Sequence, residues 1–166
     1  MPSPVGHLLG GVIVGQALAP SSVAICAIAA AAPDLDFLWG RHNMETHSLG
    51  AAIGAGLAVM AWTRGKNPRL ALAIMLAWSS HVLFDWLGSD DTPPLGVMAF
   101  WPITREFYFA DAFVFEAISR RYWLDNFISH NAWAVARELL ILGPMAAVLT
   151  LLRSRGRRRF RHRGTA

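Results

Sequence analysis

The sequence predicts an all-α fold: a polytopic membrane helical bundle that opens with a short N-terminal helical hairpin, continues through about three further membrane helices and includes an interfacial amphipathic segment. Three observations predict it. Apolar runs cover Leu8–Ala32, Leu49–Trp62, Leu70–Leu87 and Ala132–Leu152, with short polar turns between most of them. Of 166 residues, 54% are hydrophobic and only 16% charged, against about 25% charged in ordinary globular chains. Seven Trp and nine Phe suit aromatic belts at a lipid–water boundary.

The first run has the length of one transmembrane helix, but it is interrupted by Ala19-Pro20-Ser21-Ser22. Proline biases Ala19 away from helix, and Ser21 or Ser22 can cap a new one. The run therefore reads as two helices of about 12 and 11 residues, each about 17–18 Å long. Neither crosses a hydrocarbon core of about 30 Å. As a hairpin they enter and leave on one side; a single Pro-kinked span is the competing reading. A cleaved signal peptide fits poorly, because residues 1–7 contain no Lys or Arg and the usual basic n-region is missing. The lone Cys26 lies in Ala-rich sequence and reads as packing.

The next two runs form an antiparallel pair joined by the basic turn Arg64-Gly65-Lys66-Asn67-Pro68-Arg69. The segment Trp101–Phe127 alternates aromatic clusters with Arg105, Glu106, Asp111, Glu116, Arg120 and Arg121. It is too polar to span and reads as an interfacial anchor or a lid over a site. In the last run Gly143-Pro144 marks a kink, and Arg137 and Glu138 fall near its start.

The tail holds seven of the fifteen basic residues: Arg153, Arg155, Arg157, Arg158, Arg159, Arg161 and Arg163. Without it, eight basic residues face eleven acids. A basic run directly after an apolar helix is a cytoplasmic stop and headgroup anchor. Residues 1–152 therefore read as one membrane-embedded domain, and 153–166 as a disordered cytoplasmic tail. The lipid bilayer is the implied partner. Nucleic acid is not, since the body carries no interleaved basic–aromatic surface. Oligomeric state is left open. The hairpin places all ten basic residues of the turn and tail on one side, which the positive-inside rule names cytoplasmic. His7, the Asp34–His47 loop, the His81–Asp85 helix end and residues 88–131 then gather at the outer face.

That gathering carries the chemistry. His81 and Asp85, four apart, share a helix face. Pro33 stops the preceding helix, so Asp34 and Asp36 follow in extended or turn geometry. His42 and His47 precede the third run, where Thr46 or Ser48 can cap the helix. Ionisable groups at a membrane edge are functional candidates, and imidazole with carboxylate suits zinc or manganese.

The ordered motifs His7-Leu8-Leu9-Gly10, Pro33-Asp34-Leu35-Asp36, Thr46-His47-Ser48-Leu49 and His81-x3-Asp85-Trp86 resemble the YdjM-type inner-membrane metal-dependent hydrolases. Asp91-Thr92-Pro93-Pro94-Leu95-Gly96 and Trp101-Pro102-Ile103-Thr104 look like that family's later stretch. The resemblance covers roughly residues 4–104. Many members carry an arginine after the histidine that precedes Thr-His-Ser; here Asn43 stands there, with Arg41 just before His42. The resemblance implies a membrane-embedded metal hydrolase of the inner membrane.

On this reading His7, Asp36, His47, His81 and Asp85 are the metal ligands, and Asp34 is the catalytic general base. The cofactor is one or two divalent ions, zinc first, with manganese or magnesium as alternatives. The substrate is an amphiphilic or phosphoester small molecule. Thr46, Ser48, Ser79 and Ser80 are available as outer partners; Ser48 as a nucleophile lacks any G-x-S-x-G elbow. His42 reads as a loop histidine, Asp90 and Asp91 as turn residues, His130 as a helix-boundary residue, and Glu138 as a further ligand candidate. The alternative is a non-catalytic membrane protein with a structural metal site, or one that binds or moves metal ions. A transporter should hold its ligands at mid-membrane, whereas these lie at helix ends.

Overall fold

A computed structural model describes residues 1–39, 42–90 and 93–163, with side chains given for 1–38, 42–90 and 93–155. Arg41 and Asp91 lie outside the described residues, as do the side chains of the tail beyond Arg155.

The described residues form five α-helices and one 3-10 segment, and no strand occurs among them. Helix α1 spans Pro4–Leu18 and α2 spans Val23–Ala31, so the break falls at Pro20 as the sequence suggested. Ser3 caps α1, its side chain accepting from the Gly6 amide, and Pro4 at the first helical position loses no needed donor. The two helices pack as a tight hairpin. A Cβ on Gly11 would sit 2.3 Å from the Cys26 carbonyl oxygen and 2.5 Å from Ala27 Cα, so only glycine permits this approach. Cys26 is fully buried there with Ala30, Ala73 and Ala77. Small residues that let backbones close up are the packing habit of helices in lipid.

After α2 the chain tightens into a 3-10 helix over Ala32–Trp39, where extended or turn geometry was expected. Pro33 cannot donate to a continued α-helical ladder, and a three-residue turn absorbs its missing N–H at little cost. Helix α3 covers Leu49–Trp62 and begins at Ser48, whose Oγ accepts from Ala51 N at 3.0 Å. Helix α4 covers Pro68–Trp86 and is capped by Asn67. Residues 88–90 and 93–126 then form an irregular cap, held by an isolated antiparallel bridge, Val97 with Tyr108, and a parallel one, Gly88 with Phe115. Helix α5 runs Phe127–Arg163, with Pro144 inside it and the tail continuing its backbone.

The two ends of the bundle differ in charge. Ala17, Pro20, Arg69 and Arg153 line one small cavity, and Arg153 donates to the Ala17 carbonyl at 2.6 Å, so the first turn, the basic turn and the start of the tail meet at one end. Every described acid lies on segments of the other. Of the described helices only α5, over Phe127–Arg155, is long and apolar enough to cross a membrane; α1 and α3 are shorter, and α4 has 19 residues but less apolar composition. Large apolar side chains nevertheless face outward all round, among them Ile28, Leu57, Trp62, Leu140 and Val148, each more than half exposed.

Candidate metal centre

Four separate elements deliver side chains to the acidic end. His7 sits in the first turn of α1 and His81 and Asp85 in the last turns of α4. Asp34 and Asp36 come from the 3-10 segment. His42 and His47 come from the turn before α3, which is pinned from α4 by the Trp78 indole donating to the Thr46 carbonyl at 2.8 Å. The cap holds the same turn from outside, through Met98 N to Asn43 O at 3.1 Å and Leu49 N to Ala99 O at 2.9 Å.

The imidazoles are stacked into the bundle. His7 and His81 lie ring on ring at 3.7 Å, and His47 meets His81 edgewise at 4.7 Å. All three are at most 1% exposed, as is Asp85. His81 Nε2 lies 3.0 Å from Asp85 Oδ2 and 3.6 Å from Asp34 Oδ1. His47 Nε2 is 3.6 Å from each of the same two oxygens, and His7 Nε2 is 3.3 Å from Asp85 Oδ1. Yet His47 Nε2, His81 Nε2 and both Asp85 oxygens have no hydrogen-bond partner. They are close without being aimed at one another.

A shared cation accounts for that pattern. Atoms about 2.0–2.2 Å from one ion, in tetrahedral or octahedral array, lie about 2.8–3.6 Å apart, the range seen here. Each orphaned buried polar atom otherwise costs about 1–3 kcal/mol. Three overlapping sets of side chains can hold a metal ion: His7, Asp34 and His81; His47, His81 and Asp85; and Asp34, His42 and His47.

Hydrogen bonds on the far ring nitrogens fix the tautomers. His81 Nδ1 faces the Ala30 carbonyl at 2.7 Å; a carbonyl only accepts, so this nitrogen carries the proton and Nε2 keeps its lone pair for the centre. Asp36 does the same for two rings, with Oδ1 2.8 Å from His42 Nδ1 and Oδ2 3.1 Å from His47 Nδ1. Thr46 Oγ1 donates to Asp36 Oδ2 at 2.9 Å. Carboxylate behind imidazole is the usual outer support of a metal-bound histidine.

Burial opposes the charge on Asp36, but its bonds to His42 and His47 hold its carboxyl well below the ordinary range. Asp34 is likewise lowered against its burial by contact with His47 and by the neighbouring His81 and His7 rings. For His47, burial pulls the pKa down, but Asp34 and Asp36, aided by the charge of Asp85, raise it to about 9.

His7, His47, His81 and Asp85 thus come together as the sequence placed them. The two acids part: Asp34, read as the unligated base, brings its oxygen into the cluster, while Asp36, read as a ligand, belongs to none of the three sets and backs the rings. His42, read as a loop histidine, joins a set; its signal in sequence was the neighbouring Asp36, six residues earlier. Ser79 and Ser80 bond back to the carbonyls of Met75 and Ala77 and reach no ligand. Ser48 serves as helix cap. Asp90 accepts from Gly96 N at 3.0 Å, a turn role. His130 contacts the Ala117 carbonyl at 2.8 Å. Glu138 lies outside the cluster, accepting from the backbone and hydroxyl of Ser3.

Asp34 and His42 are 23% and 17% exposed and open onto a cavity of about 660 Å³ that residues 117–121 of the cap also line. The centre is therefore closed on the helix side and reachable on the loop side.

Fold and site define a small all-helical protein with an apolar exterior and a His/Asp cluster able to hold a metal ion. The chain belongs to the YdjM inner membrane protein family, which matches residues 1–159 and so extends through the cap and α5. Comparison with curated proteins and with solved structures finds no match.

Proposed function

We propose that this protein is a membrane-bound, metal-dependent hydrolase acting on phosphoester or lipid-linked substrates at the outer face of the inner membrane. One observation carries the reading: four buried, unpartnered ligand atoms converge at metal-ligand spacing beside a cavity large enough for a small molecule.

His7, His47, His81, Asp85 and Asp34 would hold a divalent ion, zinc first among the candidates, with His42 and Asp34 able to serve a second. Such an ion supplies Lewis acidity and brings the pKa of its water to about 7. The chain's own residues do the rest. Asp36 and the Ala30 carbonyl keep the ring protons on Nδ1 of His42, His47 and His81. Asp34, at the cavity edge, is placed to accept a proton from attacking water, a role it can share with ligation. The helix wall excludes solvent from behind.

Lipid accounts for the outward-facing Ile28, Leu57, Leu140 and Val148, with α5 spanning and the shorter helices completing the bundle. The basic turn and tail would face the cytoplasm. A purely structural metal would be closed off by its ligands; partial exposure of Asp34 and His42 onto the cavity favours catalysis.

The test is metal analysis of detergent-purified protein beside Asp85→Ala and His81→Ala, with a panel of phosphomonoesters and phosphodiesters assayed on the same samples. Stoichiometric metal in wild type, its loss in both variants, and metal-dependent turnover are expected. Metal bound without turnover on any ester would favour the structural reading, and unchanged metal content in both variants would sink the site.

A further inference from the structure

The cavity beside the centre has a cationic wall that the metal reading does not use. Arg120 and Arg121 line it together with Asp34 and His42. Arg120 lies with its guanidinium carbon 4.1 Å over the Phe37 ring. Phe37 in turn stacks on His42 at 4.2 Å and 20°. Arg137, by contrast, has Glu116 at 3.6 Å; among the described residues no carboxylate pairs with Arg120.

Stacking occupies only the face of a guanidinium. Its N–H donors point outward in the plane and stay available to an acceptor, in the fork that fits carboxylate and phosphate oxygens. The ring beneath removes much of the side chain's freedom, so less is lost on binding. Of the two carboxylates lining the cavity, Asp34 belongs to the His/Asp centre and Asp90 accepts from the Gly96 amide. Met44, Ile118 and Phe37 give the same cavity an apolar lining.

We infer that Arg120, shelved on Phe37, is the anion-binding group of this cavity, and that its ligand is a phosphoester with an apolar tail whose phosphate bridges Arg120 and the His/Asp centre. The inference rests on the hydrolase reading for the ligand's fate, but the subsite itself is a property of Arg120, Phe37 and the cavity. An arginine is required because the shelf needs a planar cation and the phosphate needs two donors on one edge.

The experiment measures binding by calorimetry in detergent, with dihexanoyl phosphatidate, dihexanoylglycerol and inorganic phosphate as probes. Wild type, Arg120→Gln, Arg120→Lys and Phe37→Leu are compared, each metal-free and zinc-loaded. Arg120 is exposed, so its variants should fold, and zinc content by elemental analysis serves as the check. Arg120→Gln should weaken phosphatidate by about tenfold or more, Arg120→Lys and Phe37→Leu by less, and none should alter dihexanoylglycerol. An equal loss for inorganic phosphate would assign the site to the phosphate alone; a loss seen with phosphatidate only would assign it to the amphiphile. Phosphatidate affinity unchanged by Arg120→Gln overturns the inference. Failure of every preparation to bind zinc, with the Arg120 effect intact, would instead remove the hydrolase reading and leave the subsite standing.

Discussion

His7, His81 and Asp85 project from regular helices, whereas Asp34, Asp36, His42 and His47 project from a 3-10 turn and a loop. The helix-borne wall needs little support: i, i+4 spacing and the Ala30 carbonyl orient it, and its members are at most 1% exposed. The loop-borne wall is braced from several directions, by Asp36 and Thr46 within the loop, Trp78 from α4, and Met98 and Ala99 from the cap. It is also the wall that opens to the cavity. On the proposed function, the division gives metal retention to the rigid wall and substrate access to the braced one, because binding residues cluster on loops that a scaffold positions.

The largest effect that would break this comparison lies on the helix wall. Asp85→Ala removes the fully buried, helix-borne carboxylate that faces His7, His47 and His81. Metal affinity should fall by more than the factor of about 10–100 typical of outer-sphere partners, leaving little metal after dialysis. A variant that retains its metal would show that the loop wall alone holds the ion. On the other wall, Asp34→Ala should lower turnover by about 100-fold or more, the usual scale for a positioned proton acceptor, while substantial metal remains. Equal metal loss in the two variants would erase the distinction between the walls.

Asp36→Ala should come next. It takes the carboxylate from Nδ1 of both His42 and His47, leaving His47 Nδ1 with Thr46 Oγ1 at 3.1 Å, and metal affinity should drop about 10–100-fold, read by competition with a chromogenic chelator. Asp36 also marks where the sequence stopped being legible. His81 and Asp85 could be paired from their spacing because a helix repeats every 3.6 residues, and His7 and His47 could be added from the hairpin topology. Asp34 and Asp36 could not be told apart. On an extended chain residues two apart share a side, but at three residues per turn they diverge by about 120°, so one acid enters the cluster and the other turns behind it. His42 depended on that same unforeseen turn, and Arg120 on a cap with no periodicity to read. The first four helices were legible to within a few residues, since Pro20, Ser48 and Pro68 punctuate them, whereas α5 runs Phe127–Arg163, well past both ends of the apolar run Ala132–Leu152 and through the tail read as disordered. The number of spans was less so: length sets what can cross a bilayer, and α3, at 14 residues, is about 21 Å long.

A smaller, graded effect follows from His47. Its pKa is raised to about 9, so in metal-free protein the ring is protonated at pH 7 and an incoming ion must displace that proton. Apparent metal affinity should therefore rise about tenfold per pH unit from pH 7 toward 9 and flatten above. The folded pKa lies above the unfolded value of about 6.5, so His47 contributes stability to the metal-free protein that is full below pH 6.5 and lost as pH rises through 9. Calorimetry in buffers of differing ionisation enthalpy should find about one proton released per ion at pH 7. Release of none would mean that His47 is already neutral, or not a ligand.

The smallest effect concerns how the two walls are tied to the lipid-facing helix. Glu138 on α5 is fully buried and accepts from the Ser3 amide at 2.5 Å and from the Ser3 hydroxyl, at the cap of the helix that carries His7. Gly6 makes room for it, since a Cβ there would lie 2.8 Å from Glu138 Oε2. Glu138→Gln keeps the volume but replaces one acceptor with a donor facing the Ser3 amide or hydroxyl. It should cost about 1–3 kcal/mol, seen as a lower Tm, and only a few-fold in metal affinity, because His7 is one of five proposed ligands. Unchanged Tm and affinity would mean that α5 anchors the protein without setting the centre. A large loss of metal would instead make this contact part of the rigid wall, and extend that wall from α4 across α1 to α5, the described helix long and apolar enough to cross a bilayer.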